Sequence, residues 1–512
     1  MTVVYLIVKT RENTPTALKN KTAVFFFILL GANLNFLNFG AGFSITSDLE
    51  KQFSTDSTTA SWVISGYALT VGSFVILFGK LGDIIGLHII FVAGLAIITV
   101  LSLINALIRK EIIALITFRA LQGIGGAAIL PSAIALTGNY FTGKALNLAI
   151  NGLLLAFTAS MGIGILLGGA FSLTSIGYRS FFYFTFALGL ICVIYLTLTI
   201  IPVERSEPRK NMKVKNLNFG GAAFLVAGLI LIIYGFTTAG LQWSTPKVYV
   251  TIPIGVVVVL AVVLFEGLYI GPYKHKHSAT KNWKTDIELL FPPQILTIPN
   301  FIPFACGLFC TYAAFTGLQN ILVQYFEFVQ GNSSLMAAVK LLPLTVGLIF
   351  GSVVYRPIMA EKIGTRNILV ISAFFSLATT VWCSRLDQSS NSFWKYEFAP
   401  LFLYGYGTNL FYQVYYNAIL SQTPKHLQGS VSGVFQTMCQ IGVSIGSAIT
   451  TTIIGSVSEA NASQAAELSP KMRNAFYFCV GCHALEVVLM LFSTNPKPKT
   501  EDHEEKKLET EP

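Results

Sequence analysis

Phe118-Arg-Ala-Leu-Gln-Gly-Ile-Gly-Gly-Ala-Ala-Ile-Leu-Pro131 (FRALQGIGGAAILP) lies in a run, Ile112 to Leu136, that is otherwise apolar, small or uncharged. An arginine at the centre of a membrane span costs from about 3 to more than 10 kcal/mol. Arg119 stands roughly 10 Å into such a span at about 1.5 Å per residue, which is deep for a side chain that only snorkels to the headgroups. Gln122 follows one helical turn later on the same face, where it can hold the guanidinium. Gly123, Gly125 and Gly126 let neighbouring helices approach closely. The spacing predicts an arginine that faces the interior of a helix bundle, where water and polar partners can meet it.

The composition supports a membrane reading of that run. Of 512 residues, 53% are hydrophobic and 11% charged, against roughly 25% charged in soluble domains. The charges punctuate long apolar blocks. The formal net charge of +10 is spread over loops and never gathers on a soluble module, so it suits an anionic membrane surface better than nucleic acid. Seven cysteines fall almost wholly within apolar segments and imply no disulfide framework. The apolar stretch Thr2–Val8 precedes Lys9 and Arg11, the reverse of a secretory signal, so the first long span is expected to act as an uncleaved anchor.

A span needs roughly 20 apolar residues. That rule gives fourteen, near 22–45, 60–79, 88–108, 112–136, 147–171, 180–201, 218–238, 248–268, 300–328, 335–358, 367–385, 398–420, 430–455 and 474–492. Lipid cannot satisfy free backbone groups, so nearly all of this chain must be helical. The loops 202–217 and 272–297 are rich in Lys and Arg and lie on the same side as both termini, which places that side in the cytoplasm. Asn332 and Asn461 head glycosylation sequons in predicted outside loops, whereas Asn20 heads one predicted inside.

An internal repeat fixes the organisation. Asp83 and Gly86 follow span 2, and Glu361 and Gly364 follow span 10. The two glycines are 278 residues apart (86 to 364), as are Gly164 of span 5 and Gly442 of span 13 (164 to 442). Two six-span halves with two spans inserted between them account for both offsets, and transporters are commonly built so, with substrate bound near the midplane. The expected division is a cytoplasmic segment 1–21, a first six-helix half 22–201, a linker 202–297 with two inserted helices and basic cytoplasmic loops, a second half 298–492 and a cytoplasmic tail 493–512.

On these residues the chain resembles the major facilitator superfamily. Gly79, Leu81, Asp83 and Gly86 resemble its signature loop between spans 2 and 3; Arg119, Gln122, Gly123 and Gly125 resemble its span-4 motif; Gly164, Gly168 and Gly169 resemble its span-5 antiporter motif. Together with "SWVISGYALTVGSF" (Ser61–Phe74) these stretches are similar to fourteen-span drug:proton antiporters, in the fungal branch with aminotriazole-resistance and boron-efflux proteins, whose close relatives include low-affinity ammonium transporters. Ile84 and Leu87 stand where the signature loop usually carries arginine. Ile165 stands where span 5 usually has proline, and Asn33, Asn35 and Asn38 occupy span 1 where bacterial members usually have aspartate.

The resemblance implies an all-α membrane protein of the major facilitator fold with 14 transmembrane helices (6+2+6). Its expected function is secondary active efflux of a small solute or drug coupled to protons; the alternative is a facilitator or importer of a small polar solute such as ammonium or borate. Arg119, Gln122 and Glu327 are candidates for proton coupling, Glu327 being equally readable as a wetted acid near a span end. Gly79, Asp83, Gly86, Glu361 and Gly364 would form gating loops, and Gly164, Gly168, Gly169, Gly442 and Gly446 packing surfaces. Asn35 and Asn38 of span 1, together with Asn320, Gln324, Asn409, Gln413, Tyr416, Gln436 and Gln440, which stripe helix faces in spans 9, 12 and 13, are candidates for the substrate cavity. Such polar side chains can equally serve as glue between helices. A non-transporting sensor would be expected to carry a long cytoplasmic module, and a membrane enzyme clustered His, Asp or Glu at one membrane face; neither is present. No cofactor or metal is implied: "CVGCH" (Cys479–His483) matches a haem-attachment pattern but sits inside a span with no room for haem. Expected partners are a small-molecule substrate, protons and the bilayer, with no nucleic acid and a monomer as the working unit. The plasma membrane is the expected location, the vacuolar membrane the alternative.

Overall fold

Gly86 and Gly364, the glycines that mark the repeat, share a backbone conformation. A computed structural model of the chain describes residues 20–55, 57–141, 143–200, 216–239, 243–276, 287, 289–290, 293–356, 359, 362–385, 393–423, 428–455 and 462–495. In it Gly86 has φ +123° and Gly364 φ +89°, each immediately before a helix. Residues with a Cβ rarely take positive φ, so glycine is what lets the chain reverse there between two spans. At Gly86 the reversal is completed in a single residue.

The helices follow the apolar blocks: α1 Lys21–Phe53, α2 Ser57–Ile85, α3 Leu87–Leu107, α4 Ile112–Tyr140, α5 Gly143–Ser172, α6 Arg179–Thr199, α7 Phe219–Ala239, α8 Thr251–Leu264, α9 Phe301–Gln324, α10 Leu342–Val354, α11 Thr365–Cys383, α12 Ala399–Gln422, α13 Gln428–Ile454 and α14 Ala462–Leu491. Three π-helical turns extend or precede them, at Phe265–Ile270 after α8, Tyr325–Val329 after α9 and Phe393–Phe398 before α12. The tenth span divides: Ser334–Lys340 forms a short helix, and α10 restarts with Pro343 in its first turn, where a missing N–H is tolerated. The last helix begins at Ala462, well before the expected 474.

Among the described residues, thirteen helical stretches are long and apolar enough to cross a membrane. The fourteenth expected span, α12, is 24 residues long, about 36 Å at 1.5 Å per residue, yet it falls short in hydropathy. Tyr404, Asn409, Gln413, Tyr415 and Tyr416 lower it, and all five are buried inside the bundle. Its polarity is turned inward, away from lipid.

The repeat recurs in the packing. A Cβ on Gly164 would lie 2.4 Å from Leu37 O and one on Gly168 2.8 Å from Ala41 O, so α5 rides directly on the backbone of α1. A Cβ on Gly442 would lie 2.6 Å from Phe309 O and one on Gly446 2.1 Å from Ala313 O, which sets α13 on α9 in the same way. Gly169 faces Leu335 of the short helix before α10. Helices α7 and α8 pair through Gly228 and Gly255, and α7 also packs on α2 and α13. In α8 only 17% of the most apolar window is enclosed, against 33–72% elsewhere, so that helix presents most of its surface outward. The loops 201–215 and 277–286, Glu361, Asn461 and the tail beyond Asn495 lie outside the described residues, as does the side chain of Asp83.

If close backbone packing sets the α9–α13 distance, Gly446→Ala must force the helices apart. It should lower the melting temperature of the purified protein, at a cost of about 1–3 kcal/mol for overpacking. Gly481→Ala in α14, whose Cβ would meet nothing within 4 Å, should leave the melting temperature unchanged or slightly raised. Equal behaviour of the two variants would contradict this packing.

Candidate functional site

Arg119 is fully buried, and its donors are spent on neutral oxygens. Nη1 donates to Gln122 Oε1 at 2.8 Å and, more weakly, to Asn38 Oδ1 at 3.5 Å; Nη2 donates to Asn38 O at 3.0 Å and Nε to Val63 O at 3.3 Å. The ring of Tyr67 lies over the guanidinium at 4.5 Å and that of Phe182 at 5.6 Å, within cation–π range. Helices α1, α2, α4 and α6 thus converge on one side chain.

Gln122 extends the network to α3. Its amide nitrogen donates to Ser102 Oγ at 2.8 Å, Ile98 O at 3.2 Å and Asn38 Oδ1 at 3.4 Å, while Asn105 Nδ2 donates to its Oε1 at 3.2 Å. The glycines after it each serve a different neighbour. A Cβ on Gly123 would lie 2.4 Å from Tyr67 O, one on Gly125 2.7 Å from Gly94 O, and one on Gly126 2.3 Å from Asn35 Oδ1. Without them α2, α3 and the side chain of Asn35 could not close around α4.

A central cavity adjoins this network, with about 980 Å³ of empty space including its mouth. Asn35, Tyr67 and Phe157 line it from the first six helices, and Tyr312, Asn409, Tyr412, Gln436 and Gln440 from the last six. No Asp, Glu, Lys, Arg or His is among its described lining residues. A smaller space of about 480 Å³ continues toward the α12–α13 connection, lined by Tyr415, Tyr416 and Gln436. Hydrogen bonds between the two sets of helices flank the cavity: Asn409 Nδ2 to Thr158 Oγ1 at 3.3 Å and Thr437 Oγ1 to Gly72 O at 3.0 Å.

The expected site residues divide between the cavity wall and helix contacts. Arg119 is enclosed and does not line the cavity; Tyr67 stands between, its ring on the guanidinium and its hydroxyl donating to Asn35 Oδ1 at the cavity wall. Asn35, Asn409, Gln436 and Gln440 line the main cavity and Tyr416 the smaller space, but Asn38, Asn320, Gln324 and Gln413 line neither. Asn38 is committed to Arg119. Asn320 Nδ2 donates to Thr450 and Thr451 on α13, Gln324 to Asn320, and Gln413 to Ser352 on α10. These are helix contacts. Glu327 sits partly buried in the π-helical turn after α9, away from the cavity lining.

Sequence reasoning passed over the aromatic wall, Phe36, Phe39, Phe157, Tyr312, Phe315 and Tyr412, because aromatic residues at helical spacing read as core. It also passed over Tyr67, and over Arg179, whose Nε donates to Ala106 O at 2.7 Å. Gly126→Ala tests the contact between network and cavity: the added methyl displaces the Tyr67–Asn35 hydrogen bond, worth about 0.5–1.5 kcal/mol. Titration with a transported solute should give a Kd about 2–10 times weaker, and Gly138→Ala, with open space around its Cβ, should match wild type. An unchanged Kd in Gly126→Ala would disconnect the network from binding.

Comparison with known proteins accords with this architecture. The family model of the Major Facilitator Superfamily matches residues 28–447 and 358–511. "Efflux pump terJ" of Aspergillus terreus is 24% identical over 493 residues, covering 93% of this chain and 89% of its own length. The "Low affinity ammonium transporter" of Saccharomyces cerevisiae is 22% identical, covering 80% and 76% respectively. Among solved structures, the human organic anion transporter MFSD10 superposes with a TM-score of 0.61 at 13% identity, covering 92% of this chain and 99% of its own. An all-helical bundle with repeated packing around a central cavity, matched over most of its length by one family model, places this chain in the Major Facilitator Superfamily as a multi-pass membrane transporter.

Proposed function

We propose that this transporter expels a small aromatic solute, neutral or singly charged, by alternating access, driven by proton entry. The observation that carries the reading is the cavity wall: aromatic faces interrupted by neutral amides and hydroxyls, without ionised side chains among its described lining residues. Ligand pockets combine apolar walls for affinity with a few polar groups for orientation. The kinship with "Efflux pump terJ" supports export. The kinship with an ammonium transporter supports a second reading, facilitated movement of a small polar solute, but aromatic walls of this extent give ammonium or borate little to bind.

The working unit in this reading is a monomer in the plasma membrane. Its two six-helix halves, 22–201 and 298–492, move about the cavity, with α7 and α8 inserted between them and α12 crossing as the fourteenth span. The basic loops at 202–217 and 272–297 keep both termini cytoplasmic. Arg119 and Gln122 make the first half a rigid body and fix Tyr67 and Asn35 at the cavity wall. The glycines of the two signature loops let the cytoplasmic ends open and close.

The test is accumulation of ethidium and, separately, of labelled methylammonium in inverted vesicles, with and without an imposed pH gradient. Efflux predicts ethidium uptake that vanishes when the gradient is collapsed. Methylammonium equilibration with no ethidium uptake would favour the facilitator, and undiminished ethidium uptake without the gradient would point to another driving ion.

A further inference from the structure

The last helix carries a group of side chains that the cavity and the arginine network leave unused. His483 and Glu486 lie one turn apart on α14 and are completely buried. His483 Nδ1 and Glu486 Oε2 are 2.7 Å apart, and His483 Nε2 and the hydroxyl of Tyr404 on α12 are 3.1 Å apart. Glu486 Oε1 is buried with no hydrogen-bond partner. An ionised carboxylate with one oxygen unpaired in such a place is costly, whereas a neutral carboxyl tolerates it.

The group is separated from the cavity by one residue. Tyr404 stacks on Phe315 at 6.4 Å with the rings 13° apart, and Phe315 lines the cavity. Thr408, one turn on from Tyr404 on the same face of α12, lines it too. The titratable groups around the pair are thiols and a phenol: Cys306 and Cys310 on α9, Cys383 on α11, Tyr404 on α12, Cys479 and Cys482 on α14. Among them is no lysine, arginine or second carboxylate, so among the described residues His483 and Glu486 set the charge of the site. No metal-binding cluster exists among the described residues.

From this geometry we infer that Tyr404, His483 and Glu486 form a proton-loading site connected to the substrate cavity. In the empty state His483 is neutral, with its proton on Nδ1, and Glu486 is ionised, so the pair carries one negative charge. A proton arriving from the cavity is taken by the Tyr404 oxygen as Tyr404 passes its own to His483 Nε2. His483 passes its Nδ1 proton to Glu486 Oε2. One proton has entered, Tyr404 and His483 are again neutral, Glu486 is a carboxylic acid, and the site has no net charge. This deepens the proton-coupled reading above and rests on it for its role in transport, but the binding of the proton stands on the geometry.

Infrared difference spectra of the full-length protein in liposomes, stepped between about pH 9 and about pH 3 to bracket ordinary carboxyl and imidazole titration, read the site directly. Wild type should gain a protonated-carboxyl stretch that Glu486→Gln lacks. Tyr404→Phe should gain it several-fold more slowly, because its entry route is cut. The same band in wild type and Glu486→Gln, or no such band in wild type, would overturn the site. A purely structural clamp would leave all three spectra alike. In parallel, ethidium accumulation in inverted vesicles separates the two claims. If gradient-driven uptake is lost in Glu486→Gln while ethidium exchange persists, the site serves coupling. Wild-type uptake indifferent to the gradient would sink the coupled reading, and the infrared band would still decide the site.

Discussion

A guanidinium in the middle of a membrane bundle, with no carboxylate in contact among the described residues, imposes the strictest condition on this structure. Stripping a charge of water costs several kcal/mol even after the protein relaxes, and Arg119 recovers that cost only from oriented dipoles and aromatic faces. Asn38, Val63, Gln122, Tyr67 and Phe182 must all be in place at once. They come from four helices, so satisfying one side chain fixes the relative positions of most of the first half. The glycines at 123, 125 and 126 are the steric counterpart: the backbones can reach the arginine only because nothing projects between them.

Much of this was legible in the sequence, and the boundary of legibility has physical causes. Apolar blocks locate helices because lipid and core demand the same side chains, and the equal offsets at Gly86, Gly364, Gly164 and Gly442 exposed the repeat because turns and close contacts tolerate glycine and little else. Arg119 and Gln122 were visible because charge is expensive there. Which way a polar residue points is another matter. Asn35 and Asn38 are three residues apart in α1, yet one lines the cavity and the other is spent on the arginine. Asn320 and Gln324 stripe α9 as a pore would, but they bind α13 and each other. Single-sequence periodicity gives a face, and only packing says what the face meets. The reverse error hid the aromatic cavity wall, since phenylalanine and tyrosine facing a void carry the same pattern as those facing a core. The amides and Tyr416 of α12 were legible as one polar face, while the burial of Tyr404 and Tyr415 on the same helix was not.

Two buried polar systems thus sit on opposite sides of one uncharged cavity. In the first half the charge is permanent, because arginine does not give up its proton under ordinary conditions, and its effect is to hold geometry. In the second half Tyr404, His483 and Glu486 lie in hydrogen-bond contact, and the proton-loading role proposed for them would let that group change charge. The described lining of the cavity between them offers aromatic faces and neutral hydrogen-bonding groups. In the proposed proton-coupled reading such a division would keep substrate and proton from competing for one side chain, with no aspartate needed in α1.

The central claim is that Arg119 holds the cavity wall through Tyr67 and Asn35 without touching substrate. The most direct measurement is transport normalised to protein at the membrane surface for Arg119→Ala and Arg119→Lys. Arg119→Ala should reach its membrane and transport nothing measurable, because Tyr67 and Asn38 lose their common partner. Arg119→Lys should keep only a small fraction of the rate, since a lysine retains the charge and loses the planar fork that engages several acceptors at once. Wild-type transport by a correctly targeted Arg119→Ala protein would contradict the claim and leave the arginine as a buried passenger.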